Sequence, residues 1–573
     1  MKREQAILEG LIRCAREMTA ERDRVRLIQQ ILSAGKEIAH CQAATLFLRT
    51  ANDTLRFAVR TSVDDIGGFE VPLYDPVTKE PESGYVSAYA VLNNTTVVID
   101  DVYRETRFDL SGTKRFSEST GLRAVSMLTV PLTPRDHAPI GVLQFLNATD
   151  PDTAEIVGFS PDVVGFVEAL ASQAAIALDN LRLVDEQRAM VDGLVAVMAE
   201  AVDAKSRYTG GHCARMSELA VMLAEEASGA TSGALAGFGF RSDEEWREFR
   251  IAARLHDFGK LATPEYIVDK ATKLETVHNR IHEVRARFEV LFRDAEIARL
   301  RAIHEQGVAP EQADAEFDER KRTLIDEFSF IAECNLGLIP MDADRLARLH
   351  AIASRCWHRN FDDRLGLSRN ELRRMEQAGE GSATGDEPLL ADKMQHVIGR
   401  DATPNPAAQS GFSMPIPEHQ LNSGELYNLG IRIGTLTEEE RFTVKEHVIH
   451  TIRALDNLPF PEGLKRIPEY AGCHHETPTG TGYPRQLSGD EVSTPARILA
   501  IADIFEALTA WDRPYTRPNT LSEAVDALFS LKENGEVDAE LFDIFLRNGI
   551  YRIYGQRYLQ PSQLDEVDVS KHL

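Results

Sequence analysis

The sequence is poor in cysteine and has no long apolar run. Its six cysteines are scattered without any C-x-x-C pair: Cys14, Cys41, Cys213, Cys334, Cys356 and Cys473. This spacing excludes a disulfide framework and a zinc ribbon. No uninterrupted apolar stretch reaches about 18 residues, the minimum for a membrane-spanning helix. The first residues carry charges instead of the apolar segment of a secretion signal. We therefore expect a cytoplasmic protein without membrane insertion.

Positive charge is also scarce, with 64 Lys and Arg against 90 Asp and Glu and a net charge of -26. This balance excludes broad binding to nucleic acid polymers or anionic membranes, which needs a basic face. A small anionic ligand is compatible with it where a local pocket supplies cations. The 573 residues, 43% of them hydrophobic, are too many for one core and predict two to four folded domains.

The first 160 residues alternate helical and strand patterns. Strand patterns occupy five segments: 44–48, 55–59, 96–99, 127–132 and 141–146. Turn residues separate them, which predicts an α+β domain with an antiparallel sheet.

A long helical pattern follows over 164–201. Its heptad places nine residues at the a and d positions: Leu170, Ala174, Ala177, Leu181, Val184, Arg188, Val191, Val195 and Met198. Because only Arg188 among them is polar, the pattern favours a helix paired with a second copy in a homodimer. The alternative is an amphipathic helix lying on its own domain.

The block over 276–430 differs from its surroundings. Two charged helical stretches, 281–303 and 311–334, flank a Gly-Val-Ala-Pro turn and predict a helical hairpin. The segment 379–417 is rich in Gly, Pro and polar residues and is predicted to be loop.

Several polar residues lie in apolar surroundings. His256 continues the apolar stripe of a helix and is followed at once by Asp257, and Asp503 is the single charge in the apolar segment 498–505. A buried carboxylate needs a metal, an arginine or a proton. His474 and His475 form an imidazole doublet before a glycine-rich turn. Imidazole with carboxylate ligands suits Fe, Mn or Zn.

The motifs together resemble the HD-GYP family of metal-dependent cyclic dinucleotide phosphodiesterases. The resemblance is carried by His256-Asp257-Phe258-Gly259-Lys260, His474-His475-Glu476, Gly482-Tyr483-Pro484, Tyr208-Thr209-Gly210-Gly211-His212, the segment 436–447, the segment 496–503 and Arg513-Pro514-Tyr515. It covers about 190–275 and 430–550, with the block between them as an insertion.

The resemblance implies a ligand set and a substrate site. The implied metal ligands are His212, His256, Asp257, His447, His474, His475 and Asp503, with Asp257 bridging two metals. Lys260 resembles the family lysine that contacts the scissile phosphate, so Lys260 and Asp257 are the implied catalytic residues. The implied substrate-binding residues are Lys260, Tyr483, Arg485, Arg513 and Arg517. Members with three metals have Glu where this chain has Tyr208, so two divalent ions, Fe or Mn, are expected.

The region over about 20–183 resembles a GAF sensory domain. The matching segments are 46–48, 99–102, 107–109, 121–128, 130–132 and 141–147. The members that bind cyclic nucleotides have Lys where this chain has Ala148, so this resemblance does not imply a cyclic nucleotide ligand.

The sequence therefore predicts a multidomain protein. It has an N-terminal α+β GAF-like domain (1–183), a long linker helix (164–204) and an all-α HD-GYP domain (190–573) with a mostly helical insertion at 276–430. The expected activity is hydrolysis of cyclic di-GMP, with either pGpG or GMP as the end product, regulated by the GAF domain. The alternatives are an HD-superfamily phosphohydrolase acting on another nucleotide or cyclic dinucleotide, and a cyclic dinucleotide receptor without turnover.

Overall fold

The computed structural model describes residues 12–60, 70–82, 85–108, 110–111, 113–114, 123–135, 137–205, 211–379, 384–400, 411–511 and 517–573. The chain divides into two compact units, Met1–Val191 and Asp192–Leu573.

Unit 1 is built on an antiparallel sheet. Its strands are β1 Cys41–Arg49, β2 Thr54–Arg60, β3 Glu70–Pro72, β4 Val97–Ile99, β5 Met127–Leu132, β6 Gly141–Thr149 and β7 Ile156–Val157. Six strands run in the order β3-β2-β1-β6-β5-β4, and β7 pairs with β6. All five strands expected from the alternating patterns are confirmed. The short strands β3 and β7 were not predicted.

Helices cover both faces of this sheet. They are α1 Arg24–Ala39, α2 Val86–Asn93 and α3 Pro161–Lys205. On one face, Leu27 and Ile31 of α1 pack with Phe145 of β6 and Leu170 of α3 in one apolar cluster. Full burial of side chains of this size stabilises the fold by about 1.5–3 kcal/mol each. The other face packs against α2 through residues such as Val86. The central strands are therefore buried on both sides.

The long helix α3 confirms the helix expected over 164–201. Leu170 and Ala174, the first two positions of the predicted seam, are buried in the core of the chain itself. They are covered without a partner, so this part of the predicted dimer seam is wrong. By length and composition α3 could cross a membrane, because its most apolar 18-residue window has a mean hydropathy of 1.3, and 39% of that window is buried. A core helix of a soluble protein has the same properties, and the absence of membrane insertion stays a prediction.

Unit 2 is helical. Before the inserted block its helices are α4 His212–Ser228, α5 Asp243–Leu255 and α6 Glu265–Val268. After the block they are α12 Glu438–Asp456, α13 Ile467–Gly472, α14 Thr494–Thr509, α15 Leu521–Glu533, α16 Ala539–Arg547 and α17 Ile550–Tyr558. Thr437 caps α12 in a capping box with Glu440, as the sequence predicts.

In its described residues, the inserted block contributes five α-helices and two small sheets. The helices are α7 Ile281–His304, α8 Pro310–Leu336, α9 Ala343–Ala353, α10 Arg369–Ala378 and α11 Glu425–Leu429. The strands are β8 Cys356–Arg359, β9 Gly385–Pro388, β10 Val397–Gly399 and β11 His419–Asn422, paired as β8-β9 and β10-β11. Helices α7 and α8 confirm the predicted hairpin.

The prediction of loop over 379–417 is wrong in two places, because β9 and β10 lie inside it. Strand β9 has no apolar alternation for a sequence pattern to detect. Arg359 of β8 instead donates to Glu387 of β9 at 2.6 Å, across the paired strands. Contacts between distant residues therefore define this strand.

The inserted block is anchored where it leaves and re-enters the helical core. Lys270 donates its ammonium to both oxygens of Glu440, at 2.9 and 2.8 Å, and to Asn428 Oδ1 at 3.1 Å. Lys273 donates to the carbonyls of Leu429 and Ile431 at 2.9 and 2.6 Å. Since Glu440 lies in the first turn of α12, these bonds connect the block to the helix that carries His447.

Candidate metal centre

Four of the predicted ligands form one buried group. His212, His256, Asp257 and Asp503 each offer a ligand atom, and these atoms lie within 4.8 Å of one another. His212 Nε2 is 3.3 Å from Asp503 Oδ1, and His256 Nε2 is 3.2 Å from Asp257 Oδ2. The chain thus brings together groups that are 291 positions apart in sequence, as the numbers 212 and 503 give.

The other three predicted ligands form a second group beside the first. Ligand atoms of His447, His474 and His475 also lie within 4.8 Å of one another. Asp257 connects the groups, because its Oδ1 is 3.1 Å from His447 Nε2 while its Oδ2 faces His212 and His256. All seven predicted ligands therefore lie in one continuous site.

Close backbone packing places these side chains. A Cβ on Gly259 would lie 1.8 Å from the carbonyl oxygen of His447, so only glycine lets the Asp257 turn approach α12 this closely. The Gly259 amide also donates to Thr451 Oγ1 at 2.8 Å. The glycine of the motif thus holds Asp257 against the helix that carries His447.

The imidazole rings are oriented from behind by their Nδ1 atoms. His256, His447 and His474 each donate Nδ1–H to the carbonyl three residues earlier, at 2.8, 2.6 and 2.6 Å. Because a carbonyl only accepts, Nδ1 carries the proton and Nε2 presents its lone pair to the centre.

The ligand-facing atoms lack partners in the protein. Within the described ranges, four buried Nε2 atoms have no hydrogen-bond partner: those of His212, His256, His447 and His474. Asp257 Oδ1 is likewise buried without one. Buried polar atoms are rarely left unpaired, and here they converge on one volume. The donor set of imidazole nitrogens and carboxylate oxygens fits divalent transition metals.

The pKa shifts of three of the groups are consistent with that fit, whereas at His212 the carboxylates of Glu506, Asp257 and Asp503 outweigh burial and raise the pKa of the imidazole well above its usual value. Burial lowers the pKa of His474 to about 3 and also lowers that of His475 well below its usual value. Burial alone would raise the pKa of Asp257, but His256 and Lys260 hold it well below the usual range. At neutral pH the site therefore offers neutral His474 and His475 with an ionised Asp257.

Sequence reasoning missed Glu506, which lies one turn beyond Asp503 on α14. Its side chain is fully buried, and Oε2 accepts from His212 Nδ1 at 2.5 Å while Oε1 accepts from Arg215 Nε at 2.8 Å. A second carboxylate three residues after Asp503 on an apolar helix was the available signal. Glu506 orients His212 as the carbonyls orient the other three rings.

Three of the predicted substrate-binding residues lie at the centre or on the loop that follows His475. Lys260 contacts Asp257 Oδ2 through its ammonium, and its side chain is 27% exposed. The Tyr483 ring stacks on His475 with 4.7 Å between ring centroids. Arg485 follows on the same loop, where its amide donates to the buried Glu476 at 2.7 Å.

Of the other two predicted residues, the structure places one away from the centre and does not describe the other. Arg517 pairs with Glu523 and is 72% exposed, so the structure does not bring it to the centre. The Glu523 carboxylate that it contacts is part of the capping box at the start of α15. Arg513, like Tyr208 and Thr209, falls outside the described residues.

Two family models match the chain. Residues 23–178 match the GAF domain, and residues 386–541 match the HD domain. The HD match contains His447, His474, His475 and Asp503, whereas His212, His256 and Asp257 precede it. The GAF match corresponds to the antiparallel sheet and helices of unit 1.

Relatives of known name match parts of the chain. A Vibrio cholerae protein named 3'3'-cGAMP-specific phosphodiesterase 1 is 36% identical over 22% of this chain and 28% of its own length. A Pseudomonas aeruginosa protein named cyclic di-GMP phosphodiesterase is 31% identical over 27% of this chain and 34% of its own length. The chain thus spans about a third or less of these curated relatives.

Among solved structures, the GAF domain of an Acinetobacter phosphoenolpyruvate-protein phosphotransferase is 15% identical. The match covers 32% of this chain and 98% of the Acinetobacter domain, with a TM-score of 0.25. The GAF assignment comes from the family match, and the HD assignment from the family match and the named relatives. The chain therefore combines a GAF domain with an HD domain.

Proposed function

We propose that the chain is a metal-dependent phosphodiesterase that hydrolyses cyclic di-GMP, with pGpG or GMP as the end product, and that it is regulated by its GAF domain. The observation that carries the proposal is the convergence of unpaired imidazole nitrogens on Asp257 and Asp503, beside the ammonium of Lys260. The names of the relatives supply the substrate class, a cyclic dinucleotide.

In this proposal two divalent ions, Fe or Mn, occupy the centre. His212, His256, Asp257 and Asp503 would hold one ion and His447, His474 and His475 the other, and Asp257 would contribute to both sets. Bound metals would supply positive charge at the phosphodiester and lower the pKa of water toward neutrality.

The chain's own residues have separate tasks in the proposed reaction. Lys260 would place its ammonium against a phosphate oxygen as negative charge develops there. Its partial exposure supports this, because a ligand entering from solvent would meet the ammonium directly. Tyr483 and Arg485 would hold the parts of the substrate that extend beyond the metals.

A second substrate has specific support. The relative from Vibrio cholerae is named for 3'3'-cGAMP, and its identity to this chain is 36% against 31% for the cyclic di-GMP relative. The two molecules share the cyclic phosphodiester ring and differ in one base, so the centre would treat them alike. Discrimination would arise where the bases bind.

The test is metal analysis after anaerobic purification, followed by product identification with both cyclic dinucleotides. We expect about two ions per chain and a linear dinucleotide as the first product. A dinucleotide that stays bound and intact after incubation with metal would identify a receptor. Turnover of other nucleotides alone would identify another HD phosphohydrolase.

We also propose a homodimer in the cytoplasm, with the domains at 1–183, 164–204 and 190–573 and the insertion at 276–430. Val184, a position of the predicted seam, is 44% exposed on α3, as expected of a side chain that would pair with a second copy. Inserting one residue beside Arg188 would turn the following helix by about 100° and should change activity, whereas seven residues should restore it. Unchanged activity and oligomeric state with both insertions would mean that α3 connects the domains without transmitting a signal between them.

A further inference from the structure

The last part of the inserted block lies against the loop that follows His475. The amide of Ser413 donates to the carbonyl of Pro484 at 2.8 Å. Phe412 and Met414 pack in one apolar cluster with Phe442 and Ile449 of α12 and with Tyr483. The inserted block therefore reaches the edge of the metal centre, although it is remote from its motifs in sequence.

Two aromatic rings at this edge are each covered by a cation. Lys445 Nζ lies 5.0 Å from the ring centroid of Tyr483, and the guanidinium carbon of Arg485 lies 5.7 Å from that of Phe412. We call these four side chains the aromatic-cation platform. It starts at the metal ligand His475, on which Tyr483 stacks.

The chemistry of the platform suits an anion that carries planar bases. Aromatic rings and guanidinium groups stack on bases of any sequence, and cations attract phosphates. A local pair of cations is notable in a chain of net charge -26. A cyclic dinucleotide has two phosphates and two purines, so one phosphodiester at the metals leaves bases that extend past His475.

We propose that Phe412 is a specificity-determining residue supplied by the insertion, which binds a purine base of the cyclic dinucleotide together with Arg485. This inference rests on the proposed function and extends it by assigning the insertion a part of the substrate site. Phe412 is half-buried, so its ring is accessible to a ligand. Its backbone neighbour Ser413 is fixed by the bond to Pro484, so the ring is held in place beforehand.

A purely structural role of Phe412 makes a different prediction. If the ring only anchors the insertion, Phe412→Leu keeps an apolar side chain of similar volume and preserves function. If the ring stacks on a base, Phe412→Leu weakens binding, whereas Phe412→Tyr, which keeps an aromatic ring, retains it. Phe361, which is 81% exposed in the same inserted block, provides the matched control Phe361→Leu.

The experiment uses the full chain. Binding of cyclic di-GMP is measured after metal removal, and turnover is measured with metal on cyclic di-GMP and on the small diester methyl p-nitrophenyl phosphate. We expect Phe412→Leu to weaken binding and raise KM for cyclic di-GMP about tenfold. Its kcat, its metal content and its turnover of the small diester should match those of Phe361→Leu.

Three outcomes would overturn the inference. Equal binding by Phe412→Leu and Phe361→Leu, with an active wild type, would overturn this inference and leave the proposed function intact. Equal losses on cyclic di-GMP and the small diester would show that Phe412 only supports the fold. A wild type that neither binds nor hydrolyses a cyclic dinucleotide would overturn the proposed function, and this inference with it.

Discussion

The candidate metal centre and the base of the insertion both bury polar and charged side chains, but the two regions differ in how many of the buried atoms have partners within the protein. At the base of the insertion, the ammonium of Lys270 has three acceptor atoms from Glu440 and Asn428. In the candidate metal centre, four imidazole nitrogens of the described chain have no hydrogen-bond partner. Complete pairing is what a structural ion pair needs, whereas converging unpaired atoms indicate a ligand from outside.

Convergence matters more than the presence of single unpaired atoms. The inserted block also has buried atoms without a partner, such as Trp357 Nε1 and Glu327 Oε2. Glu327 is nevertheless paired through its other oxygen, with Arg355. A few isolated atoms of this kind occur in most proteins, whereas ligand atoms of seven residues rarely meet at one place.

Removing the shared carboxylate of the metal centre should have the largest effect. We expect Asp257→Ala to lower turnover of cyclic di-GMP at least about a thousandfold and to reduce bound metal, because this carboxylate faces both groups of ligands. Turnover and metal content are measured after anaerobic purification. Asp490→Ala, at a fully exposed aspartate, is the control. A variant that keeps activity with less than one ion per chain would refute the two-metal centre.

Breaking the paired region should instead lower stability. We expect Glu440→Ala to cost about 3–5 kcal/mol, because it leaves the buried ammonium of Lys270 without its counter-charge. Urea unfolding of the full chain measures this. Glu296→Ala, which removes an exposed ion pair with Arg293, should cost about 1 kcal/mol or less. Equal costs for the two variants would mean that the buried pair has no special structural role.

Lys260 lies at the candidate metal centre, whereas Lys270 is a buried ion-pair partner at the base of the insertion. Substituting Lys260 tests whether these two ammonium groups differ in function. We expect Lys260→Ala to slow turnover about a hundredfold and to leave the metal content unchanged, because its ammonium would act on the developing charge of the substrate. Lys205, which donates to the carbonyl of Leu261, offers the control Lys205→Ala. An unchanged kcat would exclude a catalytic role for Lys260.

The sequence was sufficient for elements with strong local patterns. Strands such as β1 and β6 are apolar-rich segments bounded by turn residues, and the hairpin α7-α8 has a clear turn between two helical periods. The seven centre residues could be predicted because their motifs resemble those of a known family. No periodicity would have placed His212 beside Asp503.

The misses concern contacts that depend on the tertiary fold. Strand β9 is defined by an ion pair to β8, which its own sequence does not reveal. Arg517 is predicted as a substitute for the basic residue that the family has where this chain has Thr516. The structure pairs Arg517 with Glu523, which belongs to the capping box of α15. Glu506 was missed because its role depends on the burial of His212 against α14.

The smallest expected effect belongs to Glu506, which supports the centre without belonging to either group of ligands. Its carboxylate accepts from both His212 and Arg215, whereas the amide of Gln has one acceptor oxygen for the two donors. We therefore expect Glu506→Gln to leave His212 less firmly oriented and to weaken metal affinity about 10- to 100-fold. Metal titration followed by turnover at saturating metal measures this, with the exposed Glu533→Gln as control. Activity should return at high metal concentration, since the seven ligands are intact. An affinity within about twofold of the wild type would show that the ring is held by packing alone, and a loss that metal does not restore would place Glu506 in the chemistry itself.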